Sequence, residues 1–105
     1  MTDYVLLYNG GSMPETQEAQ DAMMAKWGAW LGGLGEAVVD GGNPFSGQAK
    51  SIAVDGTVSA GSLAEGSSGY SIISASSLDA AVEAAQGCPV LENGGSISVF
   101  ETIAM

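Results

Sequence analysis

The chain reads as an α+β domain of the ferredoxin-like, split βαβ kind, with a β-hairpin inserted between its two halves. Three observations predict this. Segments with strand and helix patterning follow one another as strand, helix, strand, hairpin, strand, helix, strand. Two helices can cover one face of a four-stranded sheet and leave the other bare. Charged residues are only 13% of the 105, about half the usual share. A bare sheet face with so little charge is expected to be covered by a partner, and a homodimer is the simplest assembly that does so.

The elements follow in order. Tyr4-Val5-Leu6-Leu7-Tyr8 is a run of strand formers ended by Asn9-Gly10-Gly11, and its two apolar faces make it a central strand. Ser12 with Glu15 fits a capping box with Pro14 in the first turn, and Thr16 is a rival cap. Met23, Trp27, Trp30, Leu31 and Leu34 then recur on one helical stripe, and Gly32, Gly33 and Gly35 supply the stop. Gly28 lies inside this helix, where close approach of another backbone would offset its cost. Ala37-Val38-Val39-Asp40 is the second strand, and Gly41-Gly42-Asn43-Pro44 breaks regular structure.

Asp55-Gly56, between Ser51-Ile52-Ala53-Val54 and Thr57-Val58-Ser59, predicts a hairpin. Gly61 to Gly69 reads as a loop and Tyr70 to Ala75 as a strand. Ser76 or Ser77 caps a second helix with a stripe of Leu78, Ala81, Val82 and Ala85, closed by Gly87 and Pro89. Asn93-Gly94-Gly95 turns the chain into a last strand, with Ile97, Val99 and Ile103 on one face and Phe100 on the other.

Composition excludes more than it assigns. A chain of this length forms a single domain, residues 1–105. It has no histidine and no arginine; its cations are Lys26 and Lys50, and its net charge is −10. It therefore lacks the usual base near neutral pH and the forked cation that grips phosphate. Nucleic acid and anionic membranes are not expected partners. Cys88 is the sole cysteine, so there is no disulfide framework. It falls at the negative end of a helix, which disfavours a thiolate. No zinc or EF-hand ligand set is present, and no metal or cofactor is expected. Met1-Thr2-Asp3-Tyr4 has no basic or long apolar leader pattern, which predicts a cytoplasmic protein.

Six residues are candidates for a pocket between sheet and helix: Tyr8, Trp27, Trp30, Asp40, Asn43 and Tyr70. Asp40 opens a glycine-rich turn; it is either a base in that pocket or a turn former bonded to nearby N–H groups, with the turn weighing more. Asn43 and its glycines are either an anion nest or, more simply, a turn. Trp27 and Trp30 belong to the core stripe, and one of them could edge a cavity. Tyr8 and Tyr70 carry hydroxyls suited to a polar ligand, although both are also good strand residues.

The order of several segments resembles the YCII-related (DGPF) family. They are Tyr4-Val5-Leu6-Leu7-Tyr8, Ala25-Lys26-Trp27-Gly28-Ala29-Trp30, Val39-Asp40-Gly41-Gly42, Gly69-Tyr70-Ser71-Ile72-Ile73, Ser77-Leu78-Asp79-Ala80-Ala81 and Gly94-Gly95-Ser96-Ile97-Ser98-Val99. The resemblance spans nearly the whole chain and implies a dimeric α+β barrel. A histidine–aspartate pair suggested for some members has no counterpart, and Ala60-Gly61-Ser62-Leu63 stands where the naming tetrapeptide is expected. Three functions follow as expectations. The first is a non-catalytic dimeric domain that binds a small molecule or a protein. The second is an atypical enzyme using Asp40 with tyrosine hydroxyls. The third is a structural or regulatory interaction protein with no pocket.

Overall fold

In the computed structural model, which describes residues 1–12 and 14–105, the first strand, β1, is Thr2–Gly10. Its side chains alternate between faces. Tyr4, Leu6 and Tyr8 are buried, while Val5 and Leu7 are only partly so.

Helix α1 spans Gln17–Leu34. Of the two candidate caps Thr16 takes the role: its Oγ1 accepts from Ala19 N at 3.1 Å, so the Ser12–Glu15 box does not start the helix. The helix also runs through Gly32 and Gly33 and stops at Gly35, whose φ of 56° closes it. Gly28 meets no backbone; a Cβ built there has nothing within 4 Å, and the glycine simply faces open space.

A 3₁₀ turn, Gly35–Ala37, leads into the short strand β2, Val38–Asp40. Strands β3, Lys50–Ile52, and β4, Val58–Ala60, form a separate two-stranded sheet. Its turn is one residue longer than Asp-Gly alone suggests. Gly56 N donates to Ala53 O at 2.8 Å, Ala53 N donates to Thr57 O at 2.7 Å, and Gly56 has φ 90°. This is the three-residue loop with a left-handed glycine at its end.

Strand β5 is Ser67–Ala75, longer than the expected Tyr70–Ala75 because it pairs along nearly all of β1. Helix α2, Leu78–Ala85, is capped by Ser77, whose Oγ accepts from Ala80 N at 3.1 Å. A 3₁₀ turn, Pro89–Asn93, and left-handed Gly94 lead to β6, Gly95–Glu101. Ile103, expected on this strand, lies beyond its end and is exposed.

The main sheet is antiparallel in the order β2-β5-β1-β6. Registers decide which residues share a face. Tyr4, Leu6 and Tyr8 oppose Ile73, Ser71 and Gly69 on one side and Glu101, Val99 and Ile97 on the other. This face carries the core: Tyr4, Leu6, Tyr8 and Ile73 pack with Ala81 and Ala85 of α2, Cys88 and Val90, and with Trp27, Trp30 and Leu34 of α1. The opposite face carries Val5, Leu7, Tyr70, Ile72, Ser74, Ser98 and Phe100. Both helices pack on the first face, so no helix covers the second, where Val5, Leu7, Tyr70 and Ile72 are half-buried. No helix among the described residues is long and apolar enough to cross a membrane.

Candidate functional site

A half-open cleft of about 390 Å³ lies between α1 and the ends of β1 and β5. Met23, Met24, Trp27 and Leu31 of α1 form one wall. Gly41 to Pro44 and Ser68 to Tyr70 form the opposite wall, and Tyr8, Gly10, Gly11, Val90 and Asn93 close the base and end. No Asp, Glu, Lys or Cys lines it among the described residues, although the chain carries a net charge of −10.

Glycine shapes the second wall. At Gly42, φ is 77°, and a Cβ would collide with the Tyr70 carbonyl. Only glycine allows the segment after β2 to press this close to β5. Asp40 helps bend it, its Oδ1 accepting from Gly42 N at 2.8 Å. The segment is tied down by Phe45 N donating to Ser68 O at 2.8 Å and by Ser71 Oγ donating to Gly41 O at 2.7 Å. Gly69 leaves room for the segment and for the Tyr8 ring: a Cβ there would meet Asn43 O at 3.1 Å and Tyr8 Cδ2 at 3.6 Å.

Beneath the cleft the polar groups are already paired. The Tyr8 hydroxyl donates to Ser71 Oγ at 2.7 Å, and Ser71 passes the bond to Gly41 O. Burial raises the Tyr8 pKa above that of a free tyrosine, and burial likewise raises the neighbouring Cys88 thiol. Both therefore stay neutral over the physiological range. The Tyr8 ring meets the Trp27 indole edge-on, with centroids 5.3 Å apart. The cleft offers a ligand aromatic and thioether surface, backbone amides and the carboxamides of Asn43 and Asn93, without a charge.

The sheet divides the six candidates. Tyr8, Trp27, Asn43 and Tyr70 border the cleft; Trp30 and Asp40 do not. Trp30 serves the helix packing: its indole N–H donates to Ala84 O at 3.0 Å. Asp40 opposes Ile72 in the register, which places its side chain on the open face. Tyr70 opposes Leu7 and so points to that same face, where its ring stacks on Phe45 with centroids 6.0 Å apart. The Tyr70 hydroxyl reaches Asp40 Oδ2 only at 3.5 Å. The expected Tyr8–Tyr70 pair of pocket hydroxyls thus does not form: one is consumed by Ser71 and the other lies across the sheet. Asn43 is a turn residue, its carbonyl accepting from Tyr70 N at 3.4 Å.

Sequence reasoning missed Met24, Gly69, Ser71 and Val90. Of these Gly69 had a signal, a glycine directly before the aromatic that opens the expected strand. No group of His, Cys, Asp and Glu among the described residues could hold a metal ion. No family model, curated protein or solved structure is significantly similar to this chain.

Proposed function

We propose that this chain is a non-catalytic dimeric domain that binds a small, uncharged, ring-bearing molecule in the cleft beside Trp27. The observation that carries the reading is a ligand-sized cleft without a charged wall in a strongly acidic chain. An anion would lose its hydration there with no cation to replace it. A flat apolar molecule gains the faces of Trp27 and the two methionines and gives up little.

The strand order β2-β5-β1-β6 is what a ferredoxin-like split βαβ fold requires once the hairpin is set aside. With the bare sheet face, it supports the dimeric α+β barrel and the YCII-related membership that the sequence resemblance implies. A cytoplasmic setting is part of this proposal.

The test uses two dyes of one scaffold: uncharged phenylnaphthylamine and its sulfonated relative, anilinonaphthalenesulfonate. Titration followed by energy transfer from tryptophan is expected to give at least tenfold tighter binding of the uncharged dye. Trp27→Leu should weaken that binding at least tenfold, while Trp30→Phe should leave it within twofold. Equal affinity for both dyes, or indifference to Trp27→Leu, refutes the cleft as the site. The alternative, an enzyme using Asp40 with tyrosine hydroxyls, needs a carboxylate that reaches the cleft, whereas Asp40 is bonded to Gly42 N on the other face. Turnover of any small molecule that is lost in a folded Asp40→Asn variant would restore that alternative.

A further inference from the structure

The hairpin formed by β3 and β4 stands away from the main sheet and shows an apolar row to solvent. The register Lys50↔Ala60, Ser51↔Ser59, Ile52↔Val58 puts Lys50, Ile52, Val58 and Ala60 on one side and the two serines on the other. Ile52 is 66% and Val58 58% exposed, and Val54 at the tip is fully exposed. A two-stranded hairpin on its own is marginal in water, so cover over this row would stabilise it. The described residues of the same chain do not supply it.

We infer that this hairpin is a clasp: its Ile52–Val58 side closes over a second copy of the same chain. The inference rests on the dimer reading above and adds a separate contact to it. Three observations select a second copy as the occupant. First, the root of the hairpin adjoins the bare sheet face. A groove of about 730 Å³ runs between the hairpin root and Leu7 and Phe45, which border that face. Second, area suffices. The molecule is a plate with extents of 43 × 39 × 18 Å, and its broad side exceeds the roughly 800 Å² per partner of a standard interface. Third, the hairpin offers an unpaired cation to an acidic chain such as this one. The chain has 12 acidic residues and two cations. Lys26 already pairs with Glu92 at 3.4 Å, whereas Lys50 lies on the apolar side of the hairpin and has no acidic partner among the described residues. Two chains of net charge −10 repel, so they meet best where charge is scarce and where a lysine faces an acidic neighbour. In a two-fold dimer each hairpin is covered by the contact that it makes, so both apolar rows disappear together.

The experiment is sedimentation equilibrium on the full chain and two variants. Ile52→Asp/Val58→Asp changes the hairpin, which lies outside the core; Phe100→Asp changes the bare face, where Phe100 is 53% exposed. Circular dichroism checks that each is folded. The wild type is expected to be a dimer, and both variants are expected to raise the dimer dissociation constant at least a hundredfold. Lys50→Glu is expected to weaken the dimer about tenfold, with the loss shrinking in high salt. A wild-type dimer disrupted by Phe100→Asp but unchanged by the hairpin variant overturns the clasp and leaves the face-to-face dimer standing. A wild type that is monomeric throughout overturns the dimer reading and the clasp with it. Hydrogen exchange gives a second readout. The Ala53 and Gly61 amides, which hold the hairpin ladder at 2.7 and 3.0 Å, should be protected at high protein concentration and lose protection on dilution. Protection that is independent of concentration also overturns the clasp.

Discussion

Gly42→Ala would place a methyl group 2.6 Å from the Tyr70 carbonyl carbon and 3.1 Å from Ser71 Cα, with the carbonyl oxygen closer still. The obstacle is strand backbone, which cannot swing aside as a side-chain tip can. The turn after β2 would have to lift off β5. Two contributions then add. Holding alanine at a φ of 77° costs about 1–2 kcal/mol. Lifting the segment breaks the Phe45 N–Ser68 O and Ser71 Oγ–Gly41 O bonds, each contributing about 1 kcal/mol. The total is about 3–4 kcal/mol, a large part of the stability of a small domain. Urea unfolding followed by tryptophan fluorescence should show the midpoint falling by about 2 M. Gly28→Ala is the matched control, since its Cβ meets nothing within 4 Å inside a helix. It should stabilise by about 0.8–1 kcal/mol, because alanine is the better helix former. The opposite signs at two glycines isolate close approach from conformational freedom in general. A Gly42→Ala midpoint within 0.3 M of wild type would refute the packing assigned to this wall of the cleft.

Other outcomes follow from single contacts. Thr16→Ala removes the oxygen that accepts from Ala19 N and should cost about 1 kcal/mol in thermal or urea unfolding, while Ser12→Ala should change nothing measurable. Alkaline pH should destabilise the fold. The folded pKa values of Cys88 and Tyr8 are raised by burial above ordinary values of 9.0 and 10.0. The unfolded chain therefore loses these protons first, and the stability from keeping both groups neutral is fully present below pH 9 and lost as pH rises. Urea midpoints measured from pH 7 to pH 11 should hold steady and then fall above pH 9, and Cys88→Ala should flatten the first part of that fall. An Asp40→Asn variant should bind phenylnaphthylamine as the wild type does, because asparagine keeps an oxygen to accept from Gly42 N and residue 40 does not border the cleft.

Much of the fold was legible because periodicity and turn chemistry act locally. The apolar run at Tyr4–Tyr8 and the Trp27–Trp30 stripe read directly into β1 and α1, and the choice of Ser76 or Ser77 as cap placed the start of α2, where Ser77 takes the role. The start of α1 was ambiguous because Ser12 and Thr16 offer equivalent oxygens, and it is the Thr16 Oγ1 that accepts from Ala19 N. Gly32 and Gly33 read as a stop but are carried through the helix, since their side of it is open and nothing resists the helical path. The site was legible only in part, for a reason of register. Whether Tyr8 and Tyr70 share a face depends on which residue of β5 opposes Tyr8, and that is set by pairing far along the chain. Gly69 takes that place, so Tyr70 and Asp40 fall on the open side. Trp30 and Trp27 occupy one stripe, yet only the position of the Ala84 carbonyl decides that Trp30 is the packing residue.

The most direct test is the molecular mass in solution at micromolar concentration and physiological salt, measured by sedimentation equilibrium. A single chain has a mass of 10.5 kDa. Two copies covering one another's bare sheet faces give a particle of twice that mass. A particle of 10.5 kDa that persists as concentration rises to the millimolar range would contradict the covered face, and with it the dimeric domain proposed here.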